Sequence, residues 1–494
     1  MALKSSEINK YALYGPLSGI GIALPLSYLT AFQTEGLGWS AVLATTVLIA
    51  PRVIDFILGI TCGTIMSKIN MKWGRYRSWF VVLRWAVTAS IVMQFLDTKA
   101  LPLALQILFI ALGYLILNSS MNFLLTAQYG IMFMMGGASM EDRQKLSIRA
   151  NQFTVAGTIL TSAALVPALQ ALTKSFYPEN TNPNWYGSKA FMILAIVCAV
   201  CYYLGATCII SAAKDHDKPA PGGAGGPTTK IGDVIKSVVT NDQLLIYTLV
   251  TTLTSISLFA MMPIGIFYYM YVLKNMMLMP IAMTIVTLFG LLASIIGPQI
   301  GRKIGMKRSM VIGMVIAICG SLVTANFAGN DTPSGLRLVG MDVPVGWIIY
   351  LLVMLIGSLA AQMYAGFAMQ FQVNAGEYGY YKTGKDNRTA AMGLGAVPMK
   401  IALIVGGALG GYALAGIGYQ PGMGMPGGPE FPANFTVNFM RLIGYVPAAI
   451  SLVALLLFGF GYKITDEKAK FYAEENMKKT MANMASQLQS EAKS

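Results

Sequence analysis

The chain has 494 residues, of which 55% are hydrophobic and only 11% are charged. Because a soluble domain carries about 25% charged residues, this composition excludes an ordinary soluble protein and indicates a membrane protein. The formal net charge of +14 is expected to reflect membrane topology and anionic lipid rather than nucleic-acid binding.

Twelve apolar runs recur along the chain, each long enough to cross the ~30 Å hydrocarbon core of a bilayer as a helix. The alternating pattern of a membrane β-barrel is absent, so each run is expected to satisfy its own backbone as an α-helix. The first run is too long for a signal-peptide core and is interpreted as a retained span. The sequence therefore predicts an all-α membrane protein with twelve transmembrane helices. The runs lie near residues 12–33, 40–66, 79–96, 101–127, 147–172, 190–212, 243–272, 277–300, 309–328, 344–372, 389–416 and 436–462.

A polar stretch rich in Pro, Gly and Lys, AAKDHDKPAPGGAGGPTTKIGD, separates the sixth and seventh runs. It predicts a flexible cytoplasmic linker over 213–242 between two six-helix halves, 1–212 and 243–462. The phrases KINMK and KIGMK follow the second and the eighth run, at 68–72 and 303–307, where an internal repeat would place them. Two such pseudo-symmetric halves are the layout of major-facilitator transporters.

Lysine and arginine are concentrated in alternate loops, in the set that also includes both ends of the chain. By the positive-inside rule, both termini are expected to be cytoplasmic in a plasma (inner) membrane. The charged tail 463–494 is predicted to be an amphipathic helix on the cytoplasmic face. A solvated tail with no role in transport is the alternative.

Several phrases occur in the order found in one transporter family. They are RVID and KWGRYRSW around the end of span two, EDRQKLSIRANQ entering span five, EYGYYKTGKDNRTAAMGLGAVPMK entering span eleven and ALAGIGY closing it, with TEGLGW after span one and FYYMYVL ending span seven as smaller echoes. Over residues 10–420 they resemble the glycoside-pentoside-hexuronide:cation symporters. The resemblance implies the major-facilitator fold and coupled uptake, in which a cation and a sugar-like solute share one central cavity.

Asp55 lies deep in the second span, where an ionised carboxylate costs about 3 kcal/mol and generally faces the bundle interior. The resemblance implies that it binds the coupling cation. Gly59 and Leu58 stand where relatives often carry Asp and Asn, which leaves Thr61 and backbone carbonyls as further oxygen ligands. A proton needs only the carboxylate, so H⁺ is favoured over Na⁺, with loss of coupling left open. A structural ion pair with Arg52, one helical turn away, is the alternative.

Arg149 at the start of span five and Lys400 within span eleven match the two recurrent cations of the family near the cavity. An unpaired ammonium in the apolar stretch AVPMKIALIVGG would be costly. Three interpretations stay open: Lys400 neutralises Asp55 as a static pair, Arg149 snorkels to the interface, or the pair breaks and reforms as proton and substrate come and go. The family often has an acid on helix one that clamps sugar hydroxyls, and this sequence has no counterpart to it between Tyr14 and Tyr28. Two cations without this acid favour an anionic solute, such as a hexuronide or acidic glycoside.

Amide and phenol side chains in the spans are candidates for binding sugar hydroxyls, and tyrosine rings can also stack on sugar faces. Hydrogen bonds between helices are the alternative for each of them. The candidates are Asn122, Gln128, Gln152, Tyr268, Tyr364 and Gln372.

Charged side chains of the cytoplasmic loops predict a gate, because ionic networks can latch one state of an alternating-access cycle. Topology alone would also place cations there. The candidate gate residues are Lys68, Arg75, Arg77, Glu141, Asp142, Arg143, Glu377 and Lys382.

The sequence provides no catalytic or metal-binding constellation. His216 is the only histidine and lies in the linker, so neither a Ser-His-Asp triad nor a multi-histidine metal site can form within the bundle. The five cysteines lie in apolar runs without paired zinc-site spacing and are interpreted as packing residues. The sequence thus predicts a non-enzyme with no cofactor beyond a coupling H⁺ or Na⁺.

The predicted function is cation-coupled symport of a glycoside, hexuronide or related polar or acidic solute by alternating access. The protein is expected to act as a monomer in contact with membrane lipid. A lipid or sterol-conjugate carrier of the same fold is one alternative. A non-transporting membrane receptor or scaffold, whose tail recruits partners, is the other.

Overall fold

The computed structural model describes residues 3–69, 71–136, 140–179, 182, 185–217, 240–338, 340–365, 367–384, 397–423 and 428–491. Over these residues the chain forms a helical bundle with one short β-hairpin, β1 (Pro333–Leu338) and β2 (Met341–Pro344), which are antiparallel. The helices of the bundle are α1 (Ser5–Ser27, extended by Leu29–Ala31 and a π-helical turn, Phe32–Gly36), α2 (Ala41–Lys68), α3 (Arg77–Gln94), α4 (Leu103–Gly136), α5 (Met140–Phe176), α6 (Ser188–Ala212), α7 (Asp242–Met261, extended by Gly265–Phe267 and a π-helical turn, Tyr268–Val272), α8 (Leu278–Ile304), α9 (Met306–Phe327), α10 (Val345–Ala365 and Ala368–Thr383), α11 (Val397–Gly416), α12 (Phe435–Leu456, with a π-helical turn, Leu457–Gly461) and α13 (Asp466–Glu491).

Ten helices in the described part of the chain are long and apolar enough to cross a membrane, and the bent α1 makes an eleventh. The twelfth segment of the bundle, α3, has 18 residues and carries Arg77, Arg84 and Gln94, which make it less apolar. The guanidinium of Arg84 lies 5.3 and 4.9 Å from the ring centroids of Trp85 and Tyr203. These cation–π contacts stabilise its charge in the middle of the helix.

The same helix pairs pack together in both halves of the bundle. In the first half, α1 packs on α5 and α6, α3 on α4 and α6, and α2 on α4. In the second half, α7 packs on α11 and α12, α9 on α10 and α12, and α8 on α10. Adding six to each helix number converts the first set into the second, as an internal repeat predicts. The halves meet through α2 with α11 and α5 with α8.

Two pairs of glycines let α11 pack closely between α7 and α2. In the stretch GGALGG, Gly406 and Gly410 face the backbone of α7, while Gly407 and Gly411 face side chains of α2. A side-chain carbon at any of these four positions would overlap its neighbour. Since small residues permit such close approach of membrane helices, this sequence positions α11 at the boundary between the halves.

The tail helix α13 packs on the second segment of α10. The ring of Tyr472 lies 5.5 Å from that of Tyr378 and 5.1 Å from that of Tyr381. Asn476 Nδ2 donates to the main-chain oxygen of Glu377 at 2.8 Å and to its carboxylate at 2.6 Å. The tail therefore lies against the end of the bundle where α1 begins and α12 ends. We name this the terminal end of the bundle, and the opposite end the distal end.

Most of the predicted linker, 218–239, lies outside the described residues.

Candidate functional site

Asp55, Asn122 and Lys400 form a buried polar cluster. Asp55 is 5% exposed, and its Oδ2 accepts a hydrogen bond from Lys400 Nζ at 2.7 Å. Its Oδ1 accepts from Asn122 Nδ2 at 2.6 Å, and Lys400 Nζ also donates to Asn122 Oδ1 at 2.6 Å. The three groups close a ring of hydrogen bonds in which each charge has a partner, as a buried ion pair requires.

The cluster joins the two halves, because Asp55 and Asn122 lie on α2 and α4 while Lys400 lies on α11. Gly59, one turn after Asp55, provides the space for the lysine. A side-chain carbon at Gly59 would lie 3.1 Å from Lys400 Cε and 3.3 Å from its Nζ. The structure thus brings together the acid and the cation that the sequence placed 345 residues apart.

Arg52 lies one turn before Asp55 but contacts a different partner. Its Nε donates to Tyr114 Oη at 3.3 Å, and its guanidinium lies 5.7 Å from the centroid of the Tyr114 ring. Gly407 of α11 leaves room for the guanidinium, and Arg52 Nη1 is buried with no hydrogen-bond partner among the described residues. The carboxylate of Asp55 binds Lys400 instead, so Arg52 and Asp55 do not form an ion pair with each other.

A cavity of about 220 Å³ lies between the halves beside this cluster. Arg52, Asn118 and Leu403 line it, and each lies about one helical turn from Asp55, Asn122 or Lys400 on the same helix. The cluster itself is not part of the lining and lies about one turn away from it. The volume is below the roughly 300–1,000 Å³ of sites for drug-sized ligands, so a solute of that size would require the halves to move apart. The polar part of the lining consists of Ser27, Thr30, Arg52, Gln94, Tyr114 and Asn118.

Arg149 and Gln152 form a separate group near the terminal end. Arg149 Nε donates to Asn9 Oδ1 of α1 at 3.1 Å, and its Nη1 donates to Gln152 Oε1 at 3.3 Å. Its guanidinium lies 5.2 Å from the centroid of the Phe153 ring. Both Arg149 and Gln152 are exposed, and the 220 Å³ cavity is lined by other residues.

The remaining candidate residues for substrate and cation binding are not among those that line the 220 Å³ cavity. Tyr268 is buried, and its Oη donates to a main-chain oxygen after α9 at 2.9 Å. The ring of Tyr364 packs against a glycine of α9, and the Thr61 hydroxyl donates back to α2 at 3.0 Å. The main-chain oxygen of Gln128 accepts a hydrogen bond from α1 at 3.3 Å. Gln372 is half-buried on α10.

Two arginines of the predicted gate take part in a contact within the first half. The main-chain N–H groups of Arg75 and Arg77 donate to the carboxylate of Asp217 at 3.0 and 2.6 Å. Arg77 Nε donates to the main-chain oxygen of Ile210 at 3.0 Å. These bonds fasten the loop between α2 and α3 to the end of α6, and Lys68 lies exposed before that loop.

The other gate candidates lie on α5 and α10. Lys382 Nζ binds the carboxylate of Asp242 at 2.7 Å, which joins α10 to the start of α7, and Glu377 binds the tail as described above. Asp142 is half-buried at the start of α5. The side chains of Glu141 and Arg143 lie outside the described residues.

Sequence reasoning missed Tyr114 and Asn118, which line the cavity. A signal was present, because Tyr114, Asn118, Asn122 and Thr126 recur every four residues along α4 and therefore share one face. Reasoning from the sequence also left out Glu35 as a buried acid; it is 6% exposed at the distal end.

A two-halved helical bundle, with a cavity and a charged cluster at the boundary between its halves, defines a membrane transporter of the major-facilitator type. Over residues 15–466 the chain matches the family model described as MFS/sugar transport protein. The chain belongs to this family of sugar transporters. The family predicted from the motifs and the all-α major-facilitator fold predicted from the apolar runs are confirmed, and the protein is a multi-pass membrane transporter rather than an enzyme.

Curated relatives include two lactose permeases. The one from Leuconostoc lactis is 24% identical over 474 residues, which cover 94% of this chain and 69% of the relative. The one from Lactobacillus delbrueckii subsp. bulgaricus is 23% identical over 438 residues, which cover 86% of this chain and 64% of the relative. Both therefore support a small-molecule solute as the transported species.

Similar solved structures share the fold across nearly the whole chain. The nucleoside transporter NupG has a TM-score of 0.62 at 13% identity, with 94% of this chain and 100% of that chain covered. A D-xylose-proton symporter has a TM-score of 0.58 at 14% identity, with 93% and 98% covered. At these identities the likeness establishes the major-facilitator fold.

Proposed function

We propose that the protein is a proton-coupled symporter that imports a glycoside, hexuronide or related sugar-like solute by alternating access. The observation that carries this proposal is the Asp55–Asn122–Lys400 cluster, which joins the two halves about one helical turn from the cavity lining. Asp55 is a carboxylate inside the bundle, and intramembrane acids of this kind are typical of proton relays in transporters.

Protonation of Asp55 removes the charge that holds Lys400. The hydrogen bond from the ammonium weakens because its acceptor is no longer ionised. The link between α2 and α11 then loosens, and the two halves can rock around the cavity. Loss of the proton on the other side of the membrane restores the pair. The proton therefore determines how easily the protein converts between its inward-open and outward-open conformations.

A proton fits the geometry of Asp55 better than Na⁺. One carboxylate oxygen accepts from Lys400 at 2.7 Å and the other from Asn122 at 2.6 Å. A sodium ion would have to displace the ammonium and recruit several oxygen ligands, and Leu58 and Gly59 add no side-chain oxygen beside Asp55. A proton requires a single carboxylate oxygen.

The substrate class is supported by the relatives and by Arg52. The relatives named lactose permease favour a sugar. Arg52 adds a cation whose Nη1 has no partner among the described residues. When protonation of Asp55 releases Lys400, that ammonium and Arg52 together offer two cations for a substrate carboxylate. A hexuronide or acidic glycoside is therefore favoured over a neutral one.

Transport assays in proteoliposomes test this function. The purified protein should accumulate labelled lactose or a β-glucuronide when a pH gradient, acidic outside, is imposed, and a Na⁺ gradient at constant pH should have little effect. In the cell we place the protein in the plasma membrane as a monomer with both termini cytoplasmic. Accumulation driven by Na⁺ alone would contradict proton coupling, and uptake that follows acyl-chain length instead of sugar structure would favour a lipid carrier.

Replacing Arg52 with Gln should reduce the affinity for an acidic glycoside more than that for a neutral one. A hydrogen bond to a charged group contributes about 1.5–3 kcal/mol, so the half-saturation concentration for a β-glucuronide should rise at least about tenfold. That for the neutral glycoside should change little. Arg84→Gln is the matched control. Like Arg52, Arg84 lies within a membrane helix and contacts aromatic rings, those of Trp85 and Tyr203, but it is not among the residues that line the cavity. An equal loss for both solutes would remove Arg52 from substrate recognition.

A further inference from the structure

Two π-helical turns lie at equivalent positions in the two halves. One ends α1 at Phe32–Gly36, and the other ends α7 at Tyr268–Val272, 236 residues later. This spacing is within one residue of the offset between KINMK and KIGMK. π-helical turns are rare and occur frequently at functional sites. Their recurrence at both repeat positions indicates a shared role in the two halves.

Glu35 and Tyr271 each occupy the fourth position of their π-helical turn, and they contact one another. Tyr271 Oη donates to Glu35 Oε1 at 2.5 Å. Tyr419, which follows α11, donates to the same oxygen at 2.5 Å, and the Gly422 N–H lies 3.4 Å from Oε2. The acceptor thus comes from the first half and all three donors come from the second.

The contact is buried at the distal end, beyond the cavity. Glu35 and Tyr271 are each 6% exposed, and Tyr419 is 5% exposed. The titratable groups that contact the Glu35 carboxylate, among the described residues, are Tyr271 and Tyr419. Thr30, which lines the cavity, lies about one turn before the acid on the same segment. Opening the cavity toward the distal end therefore requires this contact to part.

The apolar packing of the described residues also differs between the two ends. Near Glu35, buried residues of both halves, including Phe32 and Phe267, belong to one continuous cluster. At the terminal end, Leu244, Phe371 and Phe458 of the second half form a separate cluster of their own. The halves are therefore packed together at the distal end and less so at the terminal end.

We propose that Glu35, Tyr271 and Tyr419 form the latch of the distal gate, and that its release opens the central cavity on that side of the membrane. Alternating access requires the halves to separate at one end while they stay closed at the other. Hydrogen bonds to a carboxylate are strong and directional, so these three bonds favour the distally closed state. The proposal rests on the transporter fold and stands whether or not Asp55 carries the coupling proton.

Gln33 indicates that the closed state is not optimal for the π-helical turn that holds the latch. Its carboxamide is fully buried, and neither polar atom has a hydrogen-bond partner among the described residues. A buried amide without partners is destabilising. Because a π-helical turn contains more residues than an α-helical one, rewinding it would rotate Gln33 and Glu35 to new surroundings. The latch thus holds a state in which the Gln33 amide is unsatisfied.

Cysteine accessibility tests the latch. Ser27→Cys places a reporter in the cavity lining, and an impermeant maleimide is applied to right-side-out and inside-out vesicles. Tyr271→Phe removes one of the charge-assisted hydrogen bonds, and Glu35→Gln removes the charge from all three. Each should therefore raise the labelling rate from the Glu35 side by about tenfold or more. Labelling from the opposite side should fall. Tyr271→Phe keeps the ring that packs on Phe431 and Phe435, so misfolding is not expected to be the cause.

An exchange of the two side chains gives the sharper test. Glu35→Tyr and Tyr271→Glu, each alone, should raise labelling, whereas the double variant should return it to within about twofold of the parent. The equivalence of the two positions predicts this rescue, and Tyr419 lies near both, with its ring centroid 5.9 Å from that of Tyr271. Glu430→Gln, an exposed glutamate after α11, is the control. Single variants that label at the parental rate, or a double variant as fast as the singles, would overturn the latch.

Discussion

Replacing Asp55 with Asn should abolish accumulation of substrate against a gradient while leaving exchange of substrate partly intact. The amide cannot ionise, so the proton can no longer be taken up on one side and released on the other. The substrate-binding groups around the cavity remain, and the ring with Asn122 can still form hydrogen bonds. The ratio of internal to external solute should therefore approach one, whereas counterflow should stay within about tenfold of the parent.

Asp342→Asn is a suitable control for that measurement. Asp342 also binds a cation, Arg337, at 2.7 Å, but the pair lies on the hairpin with side chains 72% and 62% exposed. An exposed pair contributes little to stability, so this variant should accumulate substrate like the parent. Full concentrative uptake by the Asp55→Asn variant would remove the acid from the coupling mechanism.

Sequence patterns predicted the features that are local or encoded by a repeated motif. Apolar runs marked the spans because each membrane helix satisfies its own backbone. Asp55 and Lys400 were identified as site residues because a lone charge in an apolar run must have a partner. The repeat between KINMK and KIGMK is reflected in the helix pairs that recur in the two halves.

Features that depend on tertiary contact could not be predicted in this way. Asp55 has a cation on the same helix face, Arg52, so sequence spacing could not decide that Lys400 would bind it instead. Glu35 lies in a polar-looking phrase after the first apolar run, and only the bent, π-helical end of α1 carries it inward beside Tyr271. The amides and phenols were ambiguous because hydrogen bonding to another helix and to a ligand need the same side chains, as Tyr268 illustrates.

Replacing Lys400 with Met should destabilise the protein strongly, and adding Asp55→Asn should restore much of the loss. Removing one partner of a buried pair leaves an uncompensated charge and costs about 3–5 kcal/mol, whereas replacing both partners is often close to neutral. The methionine fills similar volume, and Asn at position 55 can still bond to Asn122. Unfolding followed in detergent should show the single variant least stable and the double variant near the parent.

The pH dependence of that loss distinguishes an unpaired charge from a packing defect. In the Lys400→Met variant, protonation of Asp55 removes the unpaired charge, so the stability deficit should shrink as the pH is lowered. Lys382→Met is the matched control: Lys382 binds Asp242 at the same 2.7 Å, but the side chains are 48% and 47% exposed, so its loss should destabilise the protein much less. A stability deficit that is equal at all pH values, or a double variant as unstable as the single one, would contradict this prediction. The pair would then stabilise the protein through side-chain packing rather than through neutralisation of charge. The electrostatic contact between α2 and α11 would then not be what a proton acts on.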